Sequence, residues 1–288
     1  MKISKISDYT SYCQHLLSSQ EYQKHIVSVE NEITKKLQNK TNLYIKGYSW
    51  PKQSKSTFLL DHVSSNDGVI NFRERLLCKK TQLNNRIRSS IHLLEDYFQA
   101  QLDTHIYLTE QCTPLGKWMQ NKYPNLQASE YLQGISEENQ AMMQPYIAPF
   151  QLQHQDLTDL SFNDNHFDFV LSFDCFEHIP DYRKAFQECF RVLKPNGKIM
   201  WTVPFDKNSE STLVRASLNE DGSIHHHCNP EYHGNPLSDE GCLSFYTFGW
   251  DLLSELKEMG FKKTYALLFW SEEYAYLGGE QIVFCGEK

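Results

Sequence analysis

Long apolar runs are missing from this chain of 288 residues, and so is any excess of positive charge. No stretch approaches the ~20 apolar residues that a membrane-spanning helix needs. The first residues show no basic start followed by an apolar core, so no secretory leader is read there. A soluble, cytoplasmic protein without a membrane span is expected. The formal net charge of −8 leaves no broad basic surface for a polyanion, which excludes extended DNA or RNA as a partner. The eight cysteines (13, 78, 112, 175, 189, 228, 242 and 285) contain no CxxC pair, so they read as free thiols and not as a disulfide framework. Glycine is sparse, and no GxGxxG follows the first predicted sheet strand, which argues against a nicotinamide-dependent dehydrogenase. None of these features sets the oligomeric state.

What the chain does have is apolar and aromatic content, 40% and 13%, enough for one large core and a small additional module. The densest signal is Phe167 to Phe205, FDFVLSFDCFEHIPDYRKAFQECFRVLKPNGKIMWTVPF. Phe167 to Phe173 is a nearly unbroken apolar run, as in a strand covered on both faces. Ala185, Cys189 and Val192 then recur at helical spacing, with Phe186, Phe190 and Leu193 widening the stripe. Lys194-Pro195-Asn196-Gly197 ends the helix and reverses the chain into a second strand. This is one βαβ unit of a parallel sheet, and Asp174, Glu177 and His178 fall at the carboxyl end of its first strand, where ligands of such sheets bind.

The same stretch resembles the class I S-adenosylmethionine-dependent methyltransferases of the small-molecule branch, whose pattern of FD-strand, EH-(I/V)-P-D, RVLKP-(G/N)-G and strand-PF it matches at nearly every position. The resemblance runs from about Ile106 to Phe205 and more weakly to the C-terminus. It implies an α/β fold: a Rossmann-like, mostly parallel sheet of seven strands with an antiparallel last strand. It also implies S-adenosyl-L-methionine as cofactor. The methyltransferase domain is expected over 83–288, with a substrate lid insertion at 206–246, and residues 1–82 form an extension of helices and a β-ribbon.

In the extension, Tyr12, Leu16, Ile26, Val29, Ile33 and Leu37 lie near helical spacing and predict one or two surface helices. Leu43-Tyr44-Ile45, Phe58-Leu59-Leu60 and Val69-Ile70-Asn71-Phe72 predict short strands broken by turns such as Asn66-Asp67-Gly68. In some relatives this segment resembles a zinc ribbon with two cysteine knuckles. Here those positions read Gly47 to Lys52 and Arg73 to Arg86, and only Cys78 remains of four ligands, so no metal is expected. Packing of Tyr48, Trp50, Phe58 and Phe72 is expected to hold the ribbon instead. Ile87, Ile91, Leu94 and Phe98 then predict a helix from Asn84 to about Gln101.

The resemblance implies a donor site assembled strand by strand. After the first strand, Ile106 to Thr109, relatives carry a glycine-rich turn where backbone meets the donor's methionine moiety. This chain has Glu110-Gln111-Cys112-Thr113-Pro114 there. Thr109, Glu110 and the amides near Thr113 are the candidates for the ammonium and carboxylate groups. The second strand, Leu126 to Ser129, ends at Glu130, a carboxylate suited to two ribose hydroxyls, with Tyr131 beside the adenine. The third, Phe150 to His154, leads to Asp156 and Leu157, an acceptor and a following amide that match adenine. Phe173 and Asp174 complete the methionine side.

From Asp206 to about Ser244 apolar periodicity is absent, and a loop of roughly 40 residues inside a compact domain is usually functional. His233 and His227 are the candidate bases for an acceptor hydroxyl, with Tyr232 orienting, and His178 either faces substrate or caps its turn. The cluster of His225, His226, His227, Cys228 and His233 matches no standard metal spacing, and solvated histidines are the structural alternative. Helix Phe248 to Met259 and strands Thr264 to Trp270 and Gln281 to Cys285 follow, the strands joined by a hairpin that could border the acceptor. Methyl transfer to oxygen of a small-molecule or glycan acceptor is expected. The alternative is a non-catalytic scaffold of the same fold, suggested by the missing loop glycines.

Overall fold

The structure, a computed structural model, describes all residues except 64, 66 and 67, so the turn expected at Asn66-Asp67 lies outside the described residues. In chain order the elements are β1 (Lys2–Ile6), α1 (Tyr9–Ser18), α2 (Gln20–Leu37), β2 (Asn42–Ser49), β3 (Ser54–Asp61), β4 (Leu77–Cys78), α3 (Asn85–His92), β5 (Ile106–Leu108), α4 (Pro114–Lys122), β6 (Leu126–Ala128) and α5 (Glu137–Ile147). Then come β7 (Phe167–Phe173), α6 (Tyr182–Val192), β8 (Leu193–Thr202), β9 (Leu213–Val214), β10 (Ala216–Leu218), β11 (Ile224–His226), β12 (Tyr232–Asn235), β13 (Ser238–Leu243), β14 (Tyr246–Thr247), α7 (Asp251–Glu258), β15 (Lys263–Ser271) and β16 (Tyr276–Glu287).

Seven strands form the main sheet in the order β1-β15-β16-β8-β7-β5-β6. β8, β7, β5 and β6 are mutually parallel, and β16 runs antiparallel to β8, as the Rossmann-like expectation requires. Two strands differ from expectation. The third predicted strand is reduced to one parallel bridge, Glu130 with His154, because Gln151, Gln153 and His154 are exposed and supply no apolar face. The seventh place goes to β1, which pairs antiparallel with β15 from Lys2↔Trp270 to Ile6↔Ala266. Its KISKI sequence buries only Ile6, and so small an apolar signal is easily passed over.

The βαβ unit is as its sequence dictates. Asp181 caps α6 by accepting from the Lys184 amide at 3.0 Å, and Ala185, Phe186, Cys189 and Val192 form the buried stripe. Phe186 stacks on Phe176 and meets Trp201 of β8 edge to face, and each such aromatic burial contributes about 1.5–3 kcal/mol. At the reversal Asn196 takes the left-handed conformation, φ +66°, while Gly197 lets the chain pass close to the Lys194 carbonyl.

By contact the chain divides into two compact units. One comprises 1–6, 10–101 and 266–283, and the other comprises 7–9, 102–265 and 284–288. The first thus extends past residue 82 and takes in α3 and the C-terminal hairpin. Its β2-β3-β4 ribbon differs from expectation in its third strand, which is Leu77–Cys78; Val69 to Phe72 form none. Phe58 and Phe72 join Ile26, Ile33 and Leu37 of α2 in its core, Trp50 stacks on His92 with centroids 3.9 Å apart, and Tyr48 meets Tyr274 edge to face. The 274–280 hairpin is tied within this unit: Arg88 donates to the carbonyls of Tyr274 and Ala275, and Glu30 accepts from the amides of Gly278 and Gly279.

Candidate functional site

At the carboxyl ends of β5 and β6 the backbone closes on itself. Gln111 and Cys112 both donate their amides to one oxygen of Glu130, at 2.7 and 2.6 Å, and the Gln111 side chain bridges the Gln151 carbonyl and the Gln153 amide. Burial pushes the Glu130 carboxyl up, while the two amides hold it down. Thr109 is buried and donates to Ser172 at 3.0 Å, and Glu110 is half-buried beside it. Thr113 caps α4 by accepting from the Gly116 amide. Asp156 accepts the amide and hydroxyl of Thr158, both at 2.8 Å; Leu157 is buried, and Tyr131 is exposed against the His154 ring.

One glycine is required here, outside the loop where the sequence pattern looks for it. A Cβ on Gly116 would stand 2.4 Å from the carbonyl oxygen of Gln111, a backbone atom with no freedom to move aside. Gly116→Ala is therefore expected to displace the Gln111-Cys112 segment and cost about 1–3 kcal/mol in a urea titration. Gly234→Ala, with nothing within 4 Å, should leave the midpoint unchanged.

β7 ends in a strained residue. Phe173 is buried, and Asp174 has φ +53°, an uncommon conformation for a residue with a side chain, held by its amide to the Thr202 carbonyl at 2.9 Å and by the Thr202 hydroxyl at 2.7 Å. The following turn brings Glu177 to a fully buried position, 0% exposed. Neither of its carboxylate oxygens makes a hydrogen bond among the described residues. Two imidazole nitrogens face Oε1, His233 Nδ1 at 3.4 Å and His178 Nε2 at 3.6 Å, too long or too poorly aligned to count as bonds. Burial pushes the Glu177 carboxyl up, and Glu177 in turn raises His233 to about 9.

The insertion expected as a loop is built of short ladders, β10 with β11, β12 with β13, and β9 with β14. Its β12-β13 hairpin is pinned over Glu177 at several points. The Phe245 amide donates to the Glu177 carbonyl at 2.7 Å, the Ser244 amide to Glu231 at 2.8 Å, and His178 Nδ1 lies 2.8 Å from the Leu243 carbonyl. At the hairpin's far end Leu237 is buried with Cys112 and Ile147, over the closed Gln111-Cys112 segment.

Of the residues singled out in the sequence, His178 and His233 meet, with ring centroids 4.9 Å apart. His227 and Tyr232 are not brought to them. His227 is exposed on the chain after β11 and lies 3.0 Å from the Ser217 hydroxyl, and Tyr232, 58% exposed, precedes His233 on the strand and so faces the other way. The cluster also takes in Glu177, Glu231 and Arg215, the last pairing with Glu231 at 3.0 Å. For Glu177 the signal was available, since it stands beside His178 at the carboxyl end of the strand.

Residues 113–201 match the family model described as a methyltransferase domain. Among curated relatives, a 42-residue stretch is 50% identical to phosphoethanolamine N-methyltransferase 2 of Caenorhabditis elegans, covering 15% of this chain and 10% of that one. A longer stretch of 153 residues is 26% identical to demethylmenaquinone methyltransferase of Geobacillus sp. (strain WCH70), covering 53% and 61%. The matches thus span less than two thirds of those relatives. A solved S-adenosylmethionine-dependent methyltransferase from Mesorhizobium loti is 10% identical, with 70% of this chain and 100% of that one covered and a TM-score of 0.42. The match and the sheet order agree: residues 113–201 carry a methyltransferase-domain match within a Rossmann-like sheet of seven strands. No helix among the described residues is long and apolar enough to cross a membrane.

Proposed function

We propose that the protein transfers the methyl group of S-adenosyl-L-methionine to a hydroxyl of a small-molecule or saccharide-like acceptor. The observation that carries this is the buried Glu177 carboxylate facing His178 and His233, beside Asp174 at the carboxyl end of β7 and beneath the 206–246 insertion. The sulfonium already activates the methyl group, so the chain has two tasks: to align acceptor oxygen, methyl carbon and sulfur, and to promote loss of the hydroxyl proton. A buried carboxylate ringed by imidazoles suits the second task because it stabilises positive charge in a site of low dielectric. On the donor side Glu130 is proposed to meet the ribose and Asp156 the adenine amine, with Thr109, Glu110, Phe173 and Asp174 around the methionine portion.

Titration calorimetry with S-adenosylmethionine and S-adenosylhomocysteine tests the donor half. Saturable binding is expected, weakened tenfold or more, about 1.4 kcal/mol, in Glu130→Ala and in Asp156→Ala. Absence of binding at millimolar donor would overturn the proposal. It would favour the non-catalytic scaffold, for which the amides of Gln111 and Cys112 already occupying Glu130 are the supporting observation.

A further inference from the structure

We infer that Glu177, His178 and His233 form a binding site for one divalent transition-metal ion such as Zn²⁺. The hydrogen atoms around this cluster lead to that conclusion. His178 Nδ1 faces the carbonyl of Leu243 at 2.8 Å, and a carbonyl only accepts, so Nδ1 carries the proton and Nε2 is left as a lone pair. His233 Nε2 faces a carboxylate oxygen of Glu231 at 3.1 Å, again an acceptor only, so in the neutral ring Nδ1 is the lone pair. Both lone pairs turn toward Glu177, whose oxygens have no hydrogen-bond donor of their own among the described residues. With His233 neutral, three electron-rich atoms converge in a buried place without a hydrogen between them, an arrangement relieved either by a proton on His233, which Glu177 favours, or by a metal cation that displaces that proton.

The spacing is close to that of ligands around one ion, with one pair at the upper limit of the range and another slightly beyond it. Two atoms each ~2.1 Å from a metal, at tetrahedral or octahedral angles, lie roughly 3.0–3.4 Å apart. Glu177 Oε1 lies 3.4 Å from His233 Nδ1 and 3.6 Å from His178 Nε2, and the three donor atoms all fall within 4.8 Å of one another. The outer contacts are also those of a metal centre, where each ligating imidazole donates its other N–H to a carbonyl or carboxylate that fixes the ring. Leu243 does this for His178 and Glu231 for His233, and Arg215 steadies Glu231 from behind. Two imidazoles and one carboxylate select a first-row divalent ion over Ca²⁺ or Mg²⁺, and three protein ligands leave positions open. The ligands come from two places distant in sequence, the turn after β7 and strand β12, so no local spacing could announce the site.

In the setting of the proposed methyl transfer, on which this role rests, an open position would take the acceptor oxygen and lower its pKa. The O–H bond then breaks with its proton passing to water, the O–C bond forms, and the C–S bond breaks with its electron pair remaining on sulfur as S-adenosylhomocysteine leaves.

The test is made on the full chain, freed of metal by a chelator and titrated with ZnCl₂ by calorimetry, with Co²⁺ absorption as an independent spectroscopic signature. One ion per chain is expected, with micromolar affinity or better. Affinity should fall a hundredfold or more in His233→Ala and in Glu177→Gln and be unchanged in His226→Ala, an exposed histidine of β11. Circular dichroism verifies that each variant folds. The Co²⁺ spectrum of the unaltered protein, showing a four- or five-coordinate nitrogen and oxygen site, supports the inference without any variant. No uptake by the unaltered protein, or uptake equally tight in both variants, overturns it. Donor binding, measured separately on metal-free protein, stands or falls on its own, so failure of the ion site and failure of the methyltransferase proposal are distinguishable.

Discussion

Glu177→Gln is expected to lower kcat for methyl transfer by about 10²–10⁴-fold while leaving the affinity for S-adenosylmethionine within a few-fold of the original. The substitution keeps the size of the side chain and removes its charge. The residue is fully buried and its two oxygens make no hydrogen bond among the described residues, so no described partner is lost when the carboxylate becomes an amide. Burial in fact disfavours that charge, which is why the Glu177 carboxyl is pushed up, and Glu177→Gln should fold at least as stably as the original. A carboxylate whose charge burial disfavours, and which makes no hydrogen bond among the described residues, is placed to act on a ligand. Single-turnover kinetics with a reactive acceptor, read beside calorimetry with the donor, would show the split between chemistry and binding. A kcat within threefold of the original would remove Glu177 from the mechanism. Loss of donor binding together with kcat would mean that Glu177 shapes the donor pocket instead.

The βαβ unit was legible because its two periodicities are clean. Phe167 to Phe173 is buried at all but Asp168, and Ala185, Phe186, Cys189 and Val192 keep one face of α6 inward. Strand β1 was not legible, because a strand at the edge of a sheet needs little apolar surface and KISKI offers little. The Gln151 to His154 segment failed in the opposite direction: position in the pattern suggested a strand, but polar side chains left a single bridge. The candidate site divides in the same way. Asp174, Glu177 and His178 sit where the carboxyl-end rule of parallel sheets puts ligand contacts. His233 and His227 were equivalent in sequence, two histidines in one polar insertion, and only the hairpin register separates them. Pairing of β12 with β13, His233 opposite Cys242, turns one inward to Glu177, whereas β11 pairs with β10 and leaves the other in solvent. Glu130 shows a limit of a different kind, since its position predicts a ribose ligand and its two amide partners come from a loop that no local pattern describes.

The N-terminal unit leads to the second large effect, in which Arg88→Ala is expected to destabilise the protein by about 3–5 kcal/mol. Arg88 is 0% exposed, and burial pushes its guanidinium down to about 10, still charged at neutral pH. It donates to the carbonyls of Tyr274 at 2.8 Å, Ala275 at 3.1 Å and Leu76 at 3.3 Å, and it lies 3.8 Å over the Phe58 ring. These contacts tie the ribbon to the hairpin. Alanine would leave three carbonyls without a donor in a buried site and open a cavity against Phe58, and both losses act in the same direction. Lysine would keep the charge, but it presents a single ammonium where the planar fork reaches three acceptors, so Arg88→Lys should recover less than half of the loss. Cys78 supplies a local gauge, since it is fully buried in the same cluster and its thiol is held down to about 7 by the Ser56 and Thr81 hydrogen bonds, which outweigh the upward push of burial. When the cluster opens, that thiol becomes exposed and reacts fast as a thiolate. In Arg88→Ala one additional rapidly labelled cysteine is expected, absent when Cys78→Ser is combined with it. Unchanged labelling beside an unchanged urea midpoint would show that the Phe58, Ile26 and Leu37 packing holds the unit without the buried charge.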